Sequence, residues 1–438
     1  MKQTITQRGY DRLLIVFAGW GCDAAAVGEI SAEGYDTLVV SDYRSQEFDD
    51  SRLAPYSEIA VIAWSFGVIA AARFLAERPA LPLTLAAAVN GTLHPVDDTL
   101  GIPRAIFDGT LDALDERNLM KFYRRTGFGA ESAAIAARMD IDALRDELRA
   151  IDGLTGPLFE AWDIAFVSTD DRIIPTENQR RAWEMTSTPV VTLDTPHLPP
   201  LQTIAKDLLV DKRLVRQRFG CSATTYNDNA SVQRTIAEHL CKKLPDRPLG
   251  DILEVGSGSG LLTRELLKRR PSSFLAIDLN AAEIDGQPVD AADAEVFMTR
   301  QAPERFDTIV SASTMQWFNS PRRFAERVRR ALRPGGTAIL STFGPDNFAE
   351  LKGLAPRRRY LSADRWRSIL PDAVTEEEHI ELLFETPADV LRHIKLTGVN
   401  AIRQGSHAEA LRLLRNYPRR SDGRCSLTYH PIFIILQK

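Results

Sequence analysis

The sequence predicts two consecutive α/β domains, each built around a parallel β-sheet. Its 438 residues exceed what one ordinary core holds, since domains average about 150 residues. Two separate stretches alternate short apolar runs with helical patterns, which is typical of parallel sheets flanked by helices. Their charge also differs: residues 1–210 contain 19 basic and 31 acidic side chains, whereas residues 211–438 contain 35 and 28. We therefore expect one domain over 1–210 and another over 211–438.

The overall composition indicates a globular protein of the cytoplasm. Hydrophobic residues make up 44% and charged residues 26%, which are ordinary values for soluble domains. The four cysteines lack Cys-x-x-Cys spacing, so we expect neither a disulfide framework nor a metal site. No apolar run approaches the roughly 20 residues that span a bilayer, and no signal-peptide core is present, so no membrane contact is expected. The dense basic stripe of a nucleic-acid-binding protein is also absent.

In the first half, apolar runs predict buried strands and a long charged stretch predicts a helical insertion. The strands are expected over residues 13–17, 59–64, 83–89 and 164–167. A helix is expected over 66–76, between two of them. From about 108 to 151 the pattern changes to Ala- and Leu-rich helix without strand-like runs, which indicates the insertion.

Ser65 lies where one of these strands ends and the helix begins, within the sequence AWSFG. The nucleophile elbow of α/β-hydrolases has a serine at such a junction, with small residues two positions away on each side because the turn is tight. Ala63 replaces the usual glycine and adds one methyl group. Ser65 is therefore a candidate nucleophile for attack on an acyl carbon.

Asp171 and His197 complete the order Ser, Asp, His along the chain, which is the order in α/β-hydrolases. In this arrangement His197 would take the proton from Ser65, and Asp171 would orient the imidazole and stabilise its cation. Asp170 is a competitor for the role of the acid. The alternative interpretation makes Asp171 a turn residue and His197 a loop histidine.

The loop FAGWG after the first strand can supply a backbone donor for the oxyanion that develops during such an attack. We assign this role to the N–H groups of Trp20 and Phe66. The segments FAGWG, AWSFG, VNGTLHPVDDTLGIP, KFYRR and PHLPP together resemble the pimeloyl-ACP methyl ester esterases of the BioG type over about residues 10–205. The resemblance implies a serine carboxylesterase of the α/β-hydrolase fold that acts on the methyl ester of pimeloyl-acyl carrier protein in biotin synthesis.

Under this resemblance the helical insertion becomes a lid whose basic residues would meet the acidic carrier protein. The candidates are Lys121, Arg124, Arg125, Arg138 and Arg145. A solvated helix face is the alternative for each of them.

In the second half, strand-like runs surround a glycine-rich segment, EVGSGSG, that begins a helix. The runs are 251–255, 274–277, 308–311 and 338–341. Glycines let the backbone approach a ligand closely, and the GxGxG spacing differs from the GxGxxG of dinucleotide enzymes. Asp278 ends the next strand, where a carboxylate accepts hydrogen bonds from ribose hydroxyls. The cofactor-binding candidates are Glu254, Gly256, Gly258, Gly260 and Asp278.

Together with Asp293 in ADAE, FDTIV and LRPGG, this pattern resembles the class I methyltransferases, which have a Rossmann-like fold. The resemblance implies S-adenosylmethionine as cofactor and places Asp293 beside the adenine amino group. The segments RFGCSATTYNDNA, STMQWF, STFGPDNFAEL and LRHIKLTGVNA further resemble the malonyl-ACP O-methyltransferases of the BioC type over about residues 215–438. The short region between Asp278 and Asp293 departs from the family pattern.

Methylation of a carboxylate needs little acid–base help, because the group is already ionised at pH 7. Positioning and exclusion of water should dominate, so we expect aromatic and amide side chains to shape the acceptor pocket. The candidates are Tyr226, Gln316, Trp317 and Phe343. Arginines over 322–330 and 356–359 could contact carrier-protein acids or the malonyl carboxylate, and a solvated face is their alternative.

The two resemblances predict one bifunctional enzyme of biotin synthesis whose halves make and remove the same ester. Methylation cancels a charge that would be costly to bury in an apolar acyl tunnel, and hydrolysis restores it. The expected partner is an acyl carrier protein that carries malonyl or methyl-pimeloyl groups. The alternatives are a generic serine esterase or thioesterase fused to a small-molecule methyltransferase, and a binding protein with one degenerate half.

Overall fold

The computed structural model describes residues 1–354, 359–397 and 407–438, with only the backbone of 221–229 and 407–409. The chain divides into two compact units, Met1–Leu209 and Val210–Lys438, here called the first and second units. Among the described residues, no helix has both the length and the apolar character needed to cross a bilayer.

A seven-stranded sheet forms the centre of the first unit. Its strands are β1 (Lys2–Thr6), β2 (Arg12–Phe17), β3 (Asp36–Ser41), β4 (Glu58–Trp64), β5 (Leu83–Val89), β6 (Ile164–Asp170) and β7 (Val190–Pro196). They are ordered β1-β3-β2-β4-β5-β6-β7, and all neighbours are parallel except β1 and β3. Every residue of β4 and β5 is buried, which explains why all but Glu58 and Thr84 are apolar.

Eight helices accompany this sheet in the described chain. They are α1 (Ala24–Val27), α2 (Gly67–Ala76), α3 (Arg104–Asp112), α4 (Glu116–Thr126), α5 (Ser132–Ala136), α6 (Ile141–Asp152), α7 (Thr176–Glu184) and α8 (Leu201–Leu208). Helices α3 to α6 lie between β5 and β6 in the chain, so the predicted helical insertion is confirmed; we call these four helices the lid. In α4, Asp115 caps the first turn and Gly127 ends the helix at φ +117°.

The second unit has an eight-stranded mixed sheet and a separate strand pair. The strands are β8 (Asp251–Val255), β9 (Ser273–Asp278), β10 (Ala282–Ile284), β11 (Gln287–Ala291), β12 (Phe306–Ser311), β13 (Leu332–Phe343), β14 (Val374–Glu377), β15 (Ile380–Phe384), β16 (Cys425–Tyr429) and β17 (Pro431–Gln437). The main order is β10-β11-β9-β8-β12-β13-β17-β14, and β15 pairs with β16. The expectation of a wholly parallel sheet is wrong at both edges, because β10, β17 and β14 pair antiparallel.

Helices cover both faces of this sheet. They are α9 (Lys212–Asn229), α10 (Ser231–Lys243), α11 (Leu261–Lys268), α12 (Ala294–Thr299), α13 (Pro321–Ala331), α14 (Ala363–Ile369), α15 (Pro387–Leu396) and α16 (His407–Asn416). One hydrophobic cluster contains residues of α10 and α11, and another contains residues of α12 and α13. The carboxyl ends of β8, β9 and β12 meet at one edge, where ligands bind in open α/β sheets.

Candidate active sites

Ser65 follows β4 directly and has φ +58°, in the left-handed region that residues other than glycine rarely adopt. Such strain is typical of the sharp turn between strand and helix that presents a nucleophile. Glycines make the turn possible. A Cβ on Gly67 would lie 2.3 Å from the carbonyl oxygen of Phe17, and a Cβ on Gly91 would lie 2.3 Å from the carbonyl oxygen of Ser65. Ala63 is fully buried in β4, so its extra methyl group is accommodated.

Ser65, His197 and Asp171 form one hydrogen-bonded series. Nε2 of His197 lies 2.9 Å from Oγ of Ser65, and Nδ1 of His197 lies 2.8 Å from Oδ2 of Asp171. The side chains of His197 and Asp171 are only 1% and 0% exposed, so water does not weaken their contact. The competing Asp170 has a largely exposed carboxylate that pairs with Arg172 at 3.1 Å. The geometry therefore brings Asp171, and not Asp170, to the histidine.

The Asp171 carboxylate is fixed by three further donors. The N–H groups of Ile173 and Ile174 donate to Oδ1 at 2.8 and 3.0 Å. Nε2 of Gln179 donates to Oδ2 at 2.7 Å. These bonds hold the carboxylate in the orientation that faces the imidazole. Gln179 was not found from the sequence, although a fully buried glutamine is uncommon enough to attract attention once burial is known.

The loop that carries His197 is tied to the sheet through its backbone. The indole Nε1 of Trp64 and the amide Nδ2 of Asn90 both donate to the His197 carbonyl oxygen at 2.8 Å. Both residues stand at the carboxyl ends of central strands, directly next to the nucleophile turn. Neither was predicted, because a contact with a residue more than 100 positions away leaves no local pattern.

The loop after β2 passes close to the nucleophile. A Cβ on Gly19 would lie 3.1 Å from Cβ of Ser65. In the part of the chain that the structure describes, the backbone N–H groups of Trp20 and Phe66, the two predicted oxyanion donors, have no hydrogen-bond acceptor. Buried N–H groups normally have partners, so two such groups beside a serine hydroxyl are suited to a negatively charged oxygen.

The lid holds the loop after β2 in place. Tyr123 of α4 donates its hydroxyl to the Gly21 carbonyl oxygen, and Nε1 of Trp20 donates to the Leu144 carbonyl oxygen of α6 at 3.0 Å. Glu147 of α6 accepts the N–H of Tyr43 at 3.0 Å. Burial raises the pKa of the Glu147 carboxyl to about 7. The conformation of the loop thus depends on two lid helices.

A cavity of about 670 Å³ lies between α3 and α4, beside Trp20. Its lining is partly apolar, with Ile106 and Phe122. Three of the basic lid residues expected to meet a carrier protein also line it: Lys121, Arg124 and Arg125. The other two do not, and they are paired with acids: Arg138 with Asp23 at 3.5 Å and Arg145 with Asp142 at 2.5 Å.

In the second unit, a cavity of about 410 Å³ lies at the carboxyl ends of the central strands. Four predicted cofactor residues line it: Gly256, Gly258, Asp278 and Asp293. Two others do not. Gly260 begins α11 at φ +83°, and the side chain of Glu254 is buried within β8, which raises the pKa of its carboxyl to about 7.

The glycine loop has backbone conformations and close contacts that other residues would not tolerate. Gly256 has φ +75°, and a Cβ there would lie 2.0 Å from Oγ1 of Thr314. Gly258 has φ +53°, and a Cβ there would meet no atom within 4 Å, so it would occupy open space at the cavity wall. The N–H of Gly258 donates to Oδ2 of Asp278 at 3.1 Å. Burial raises the pKa of the Asp278 carboxyl above its usual value.

Of the three predicted acceptor-pocket residues whose side chains the structure describes, only Trp317 lines this cavity. Gln316 is buried and donates to the Ser313 carbonyl oxygen, and Phe343 packs near Tyr429 with ring centres 6.0 Å apart. The side chain of Tyr226 lies outside the described residues, as do residues 356–358 of the predicted arginine cluster. Two of the arginines in α13 are ion-paired, Arg322 with Glu326 at 3.0 Å and Arg329 with Asp372 at 2.5 Å.

Sequence reasoning assigned Tyr226 of α9 to the acceptor pocket but missed the first half of this helix. The described lining residues from α9 are Lys212, Val215, Arg216, Phe219 and Gly220. The sequence analysis interpreted the charged stretch at the start of α9 as the boundary between the two domains. It therefore did not consider these residues as candidates for a binding site.

Comparison with known proteins defines the class of each unit. The family model "Pimeloyl-ACP methyl esterase BioG" matches residues 1–199, and a methyltransferase domain model matches 229–393. The Bacteroides fragilis protein named malonyl-[acyl-carrier protein] O-methyltransferase is 37% identical over 461 residues, covering 97% of this chain and 92% of that protein. The Acinetobacter baylyi protein of the same name is 31% identical, covering 52% of this chain and 98% of its own length.

Among solved structures, BioG from Haemophilus influenzae is 33% identical and covers 45% of this chain and 94% of that chain, with a TM-score of 0.41. The two family models show that the chain joins a BioG-type domain of α/β-hydrolase fold to a Rossmann-like methyltransferase domain. It belongs to the malonyl-[acyl-carrier protein] O-methyltransferase family. These matches support a role in biotin synthesis.

S-adenosylmethionine is the cofactor of the methyltransferase domain, and the residues of the second cavity fit it. Gly256 and Gly258 leave room for close approach to the backbone, because any side chain there would clash or fill the cavity. The carboxylates of Asp278 and Asp293 offer acceptors for ribose hydroxyls and an adenine amino group. The aromatic rings of Trp317 and Phe318 add an apolar wall.

Proposed function

We propose that this chain is a bifunctional enzyme that methylates and later demethylates the acyl intermediates of biotin synthesis. The second unit transfers a methyl group from S-adenosylmethionine to the free carboxylate of malonyl-acyl carrier protein. The first unit hydrolyses pimeloyl-acyl carrier protein methyl ester to pimeloyl-acyl carrier protein and methanol. The observation that carries the esterase assignment is the buried series of Ser65, His197 and Asp171 beside two unpaired backbone donors in the described chain.

In the esterase reaction, Oγ of Ser65 attacks the ester carbonyl carbon while Nε2 of His197 takes its proton. The carbonyl oxygen becomes an oxyanion that accepts hydrogen bonds from the N–H groups of Trp20 and Phe66. Asp171 stabilises the imidazolium, which then gives the proton to the departing methoxide so that methanol leaves. Water attacks the acyl-serine by the same steps and restores Ser65.

In the methyl transfer, bound S-adenosylmethionine supplies a methyl group activated by its sulfonium. The chain itself needs to orient the acceptor carboxylate and to exclude water, because that carboxylate is already ionised. Asp278 would hold the ribose hydroxyls, the glycine loop would face the methionine part, and Trp317 would close the apolar side. No general base is required for this transfer.

The unpaired basic rim of the first cavity supports carrier-protein binding. Lys121, Arg124 and Arg125 are exposed and, within the described chain, none of them has a carboxylate at ion-pair distance. The paired arginines of the lid are already neutralised by neighbouring acids. Free cations around an apolar opening suit a partner that presents acids around a tethered acyl chain.

The test is mass spectrometry of malonyl-acyl carrier protein incubated with S-adenosylmethionine and the purified chain. A gain of one methyl group on the malonyl unit is expected, as is loss of methyl from pimeloyl-acyl carrier protein methyl ester. The Ser65→Ala variant should retain the first activity and lack the second, and the exposed Ser45→Ala should retain both. Methylation of free acids in place of the carrier-bound acid would instead favour a small-molecule methyltransferase.

A further inference from the structure

Lys212, at the start of α9, has a buried ammonium group. Its side chain is 3% exposed, and Nζ lies 3.0 Å from Oδ2 of Asp293 and 2.9 Å from Oε2 of Glu295. Nζ also lies 5.5 Å from the centre of the Phe318 ring, within the range of a cation–π contact. Lysine is almost never fully buried unless it is paired, so this position requires its two acids.

The two acids have different surroundings. Glu295 accepts the N–H groups of Asn319 and Ser320 at 2.8 and 2.9 Å, so it anchors the turn before α13. Asp293 caps α12 by accepting the Glu295 N–H at 3.0 Å, and it lines the cofactor cavity. Lys212 thus connects an acid that holds the fold to an acid that faces the ligand.

The rest of α9 ties Lys212 to the same cavity. Phe219 packs edge-on against Trp317 with ring centres 5.7 Å apart, and the Arg216 carbonyl oxygen accepts Nδ2 of Asn280 at 3.2 Å. Because these residues also line the cavity, α9 forms one of its walls. Lys212 bonds this wall to Asp293 on the cavity lining.

We propose that Lys212 is a positioning residue that determines specificity for the adenine base of the cofactor. Its ammonium keeps the Asp293 carboxylate ionised and directed at the cavity. An ionised carboxylate only accepts hydrogen bonds, so it favours a purine with an amino donor and repels one with an oxo acceptor. Without Lys212, the Asp293 carboxylate loses a buried cation at 3.0 Å that favours its ionised form and fixes its orientation. This inference rests on the proposed function, in which Asp293 contacts adenine.

The experiment compares S-adenosylhomocysteine with S-inosylhomocysteine by calorimetry on the full chain. The inosyl base has an oxo group in place of the 6-amino group, and an N1–H in place of the N1 acceptor. The wild type should bind the adenosyl ligand at least about tenfold more tightly, as expected for one gained and one opposed hydrogen bond. In Lys212→Met, and in Asp293→Asn, the preference should fall to within about threefold. The matched control is Lys268→Met, which removes an exposed lysine of α11 paired with Glu265 and should keep the wild-type ratio.

The ratio separates positioning from a purely structural role. If Lys212→Met weakens both ligands equally and keeps the wild-type preference, Lys212 only supports α9 and the inference is overturned. If the wild type does not bind S-adenosylhomocysteine at all, the proposed function fails as well, which is a different result. Should Lys212→Met not fold, Lys212→Gln, which keeps a donor but removes the charge, is expected to show the same loss of preference.

Discussion

Individual residues of the first unit combine strain, burial and hydrogen bonding at one point. Ser65 has a left-handed backbone because Gly67 and Gly91 allow close approach, and His197 is held through its carbonyl oxygen as well as both ring nitrogens. A nucleophile held in this way needs no large movement before attack, so little reorganisation is required during the reaction. The neighbouring acids Asp170 and Asp171 provide a direct test of this arrangement.

Asp171→Asn should lower kcat for ester hydrolysis by about a thousandfold or more, because an asparagine would favour the wrong imidazole tautomer and would not stabilise its cation. Asp170→Asn should stay within about twofold of wild type, since that carboxylate is largely exposed and contacts Arg172. Steady-state hydrolysis of a methyl ester by both variants gives the comparison. Equal losses of kcat, or a larger loss in Asp170→Asn, would show that Asp171 is not the acid of the triad.

Gly258→Val should abolish detectable binding of S-adenosylhomocysteine, because its φ of +53° disfavours a β-branched residue and the side chain would occupy the cavity. Gly286→Val is the matched control. Gly286 lies in the turn between β10 and β11, also at positive φ and also with open space around its Cβ, but it does not line the cavity. Calorimetry should show near-normal binding of S-adenosylhomocysteine by the control. If both variants bind it weakly, strain of the backbone explains the loss, and occupation of the cavity by the side chain does not.

At the scale of elements, the lid supports the loop after β2, which contains Trp20 and Gly21. Glu147 of α6 is 5% exposed, and burial raises the pKa of its carboxyl to about 7 from an ordinary value near 4.5. Between these values the folded state holds a proton that the unfolded state has released. The contribution of this group to stability is therefore complete below about pH 4.5 and is lost as pH rises to about 7.

Glu147→Gln should remove this pH dependence, because glutamine does not titrate. Relative to wild type, the free energy of unfolding of the variant should rise by about 3 kcal/mol between acidic and neutral pH, at about 1.4 kcal/mol for each pKa unit, and then level off. Urea denaturation of the full chain at several pH values measures the difference. The exposed Glu131→Gln should show a flat difference, and a flat profile for Glu147→Gln would contradict the expected titration.

How far the sequence predicts these elements depends on their burial. The fully buried β4 and β5 are predicted closely, since burial on both faces produces unbroken apolar runs. The edge strand β1 alternates exposed and half-buried residues, and it leaves no such run. The triad was predicted from residue order and strand ends. By contrast, the contacts of Lys212 join residues about 80 positions apart, and only the folded chain brings them together.

At the scale of the whole molecule, the two proposed activities oppose each other and require selectivity between their substrates. Under the proposed function, the methylated malonyl group is the product of one unit and carries the same ester that the other unit would hydrolyse. Immediate hydrolysis would leave no net product. The pimeloyl chain is longer than the malonyl chain by four methylene groups. We expect the apolar lining of the first cavity, which Trp20 borders, to recognise this difference.

The esterase should therefore prefer pimeloyl-acyl carrier protein methyl ester over the malonyl counterpart by a factor of 100 or more in kcat/KM. Burial of one methylene contributes about 0.8 kcal/mol, so four contribute roughly 3 kcal/mol, and this corresponds to about two orders of magnitude. Hydrolysis of a series of carrier-bound methyl esters of increasing length measures the slope per methylene. The assay uses the Gly258→Val variant as the enzyme. This variant is expected not to bind the cofactor, so it should not methylate the acids that hydrolysis releases. Comparable kcat/KM for the two esters would refute selection by chain length and would require separation of the activities by other means.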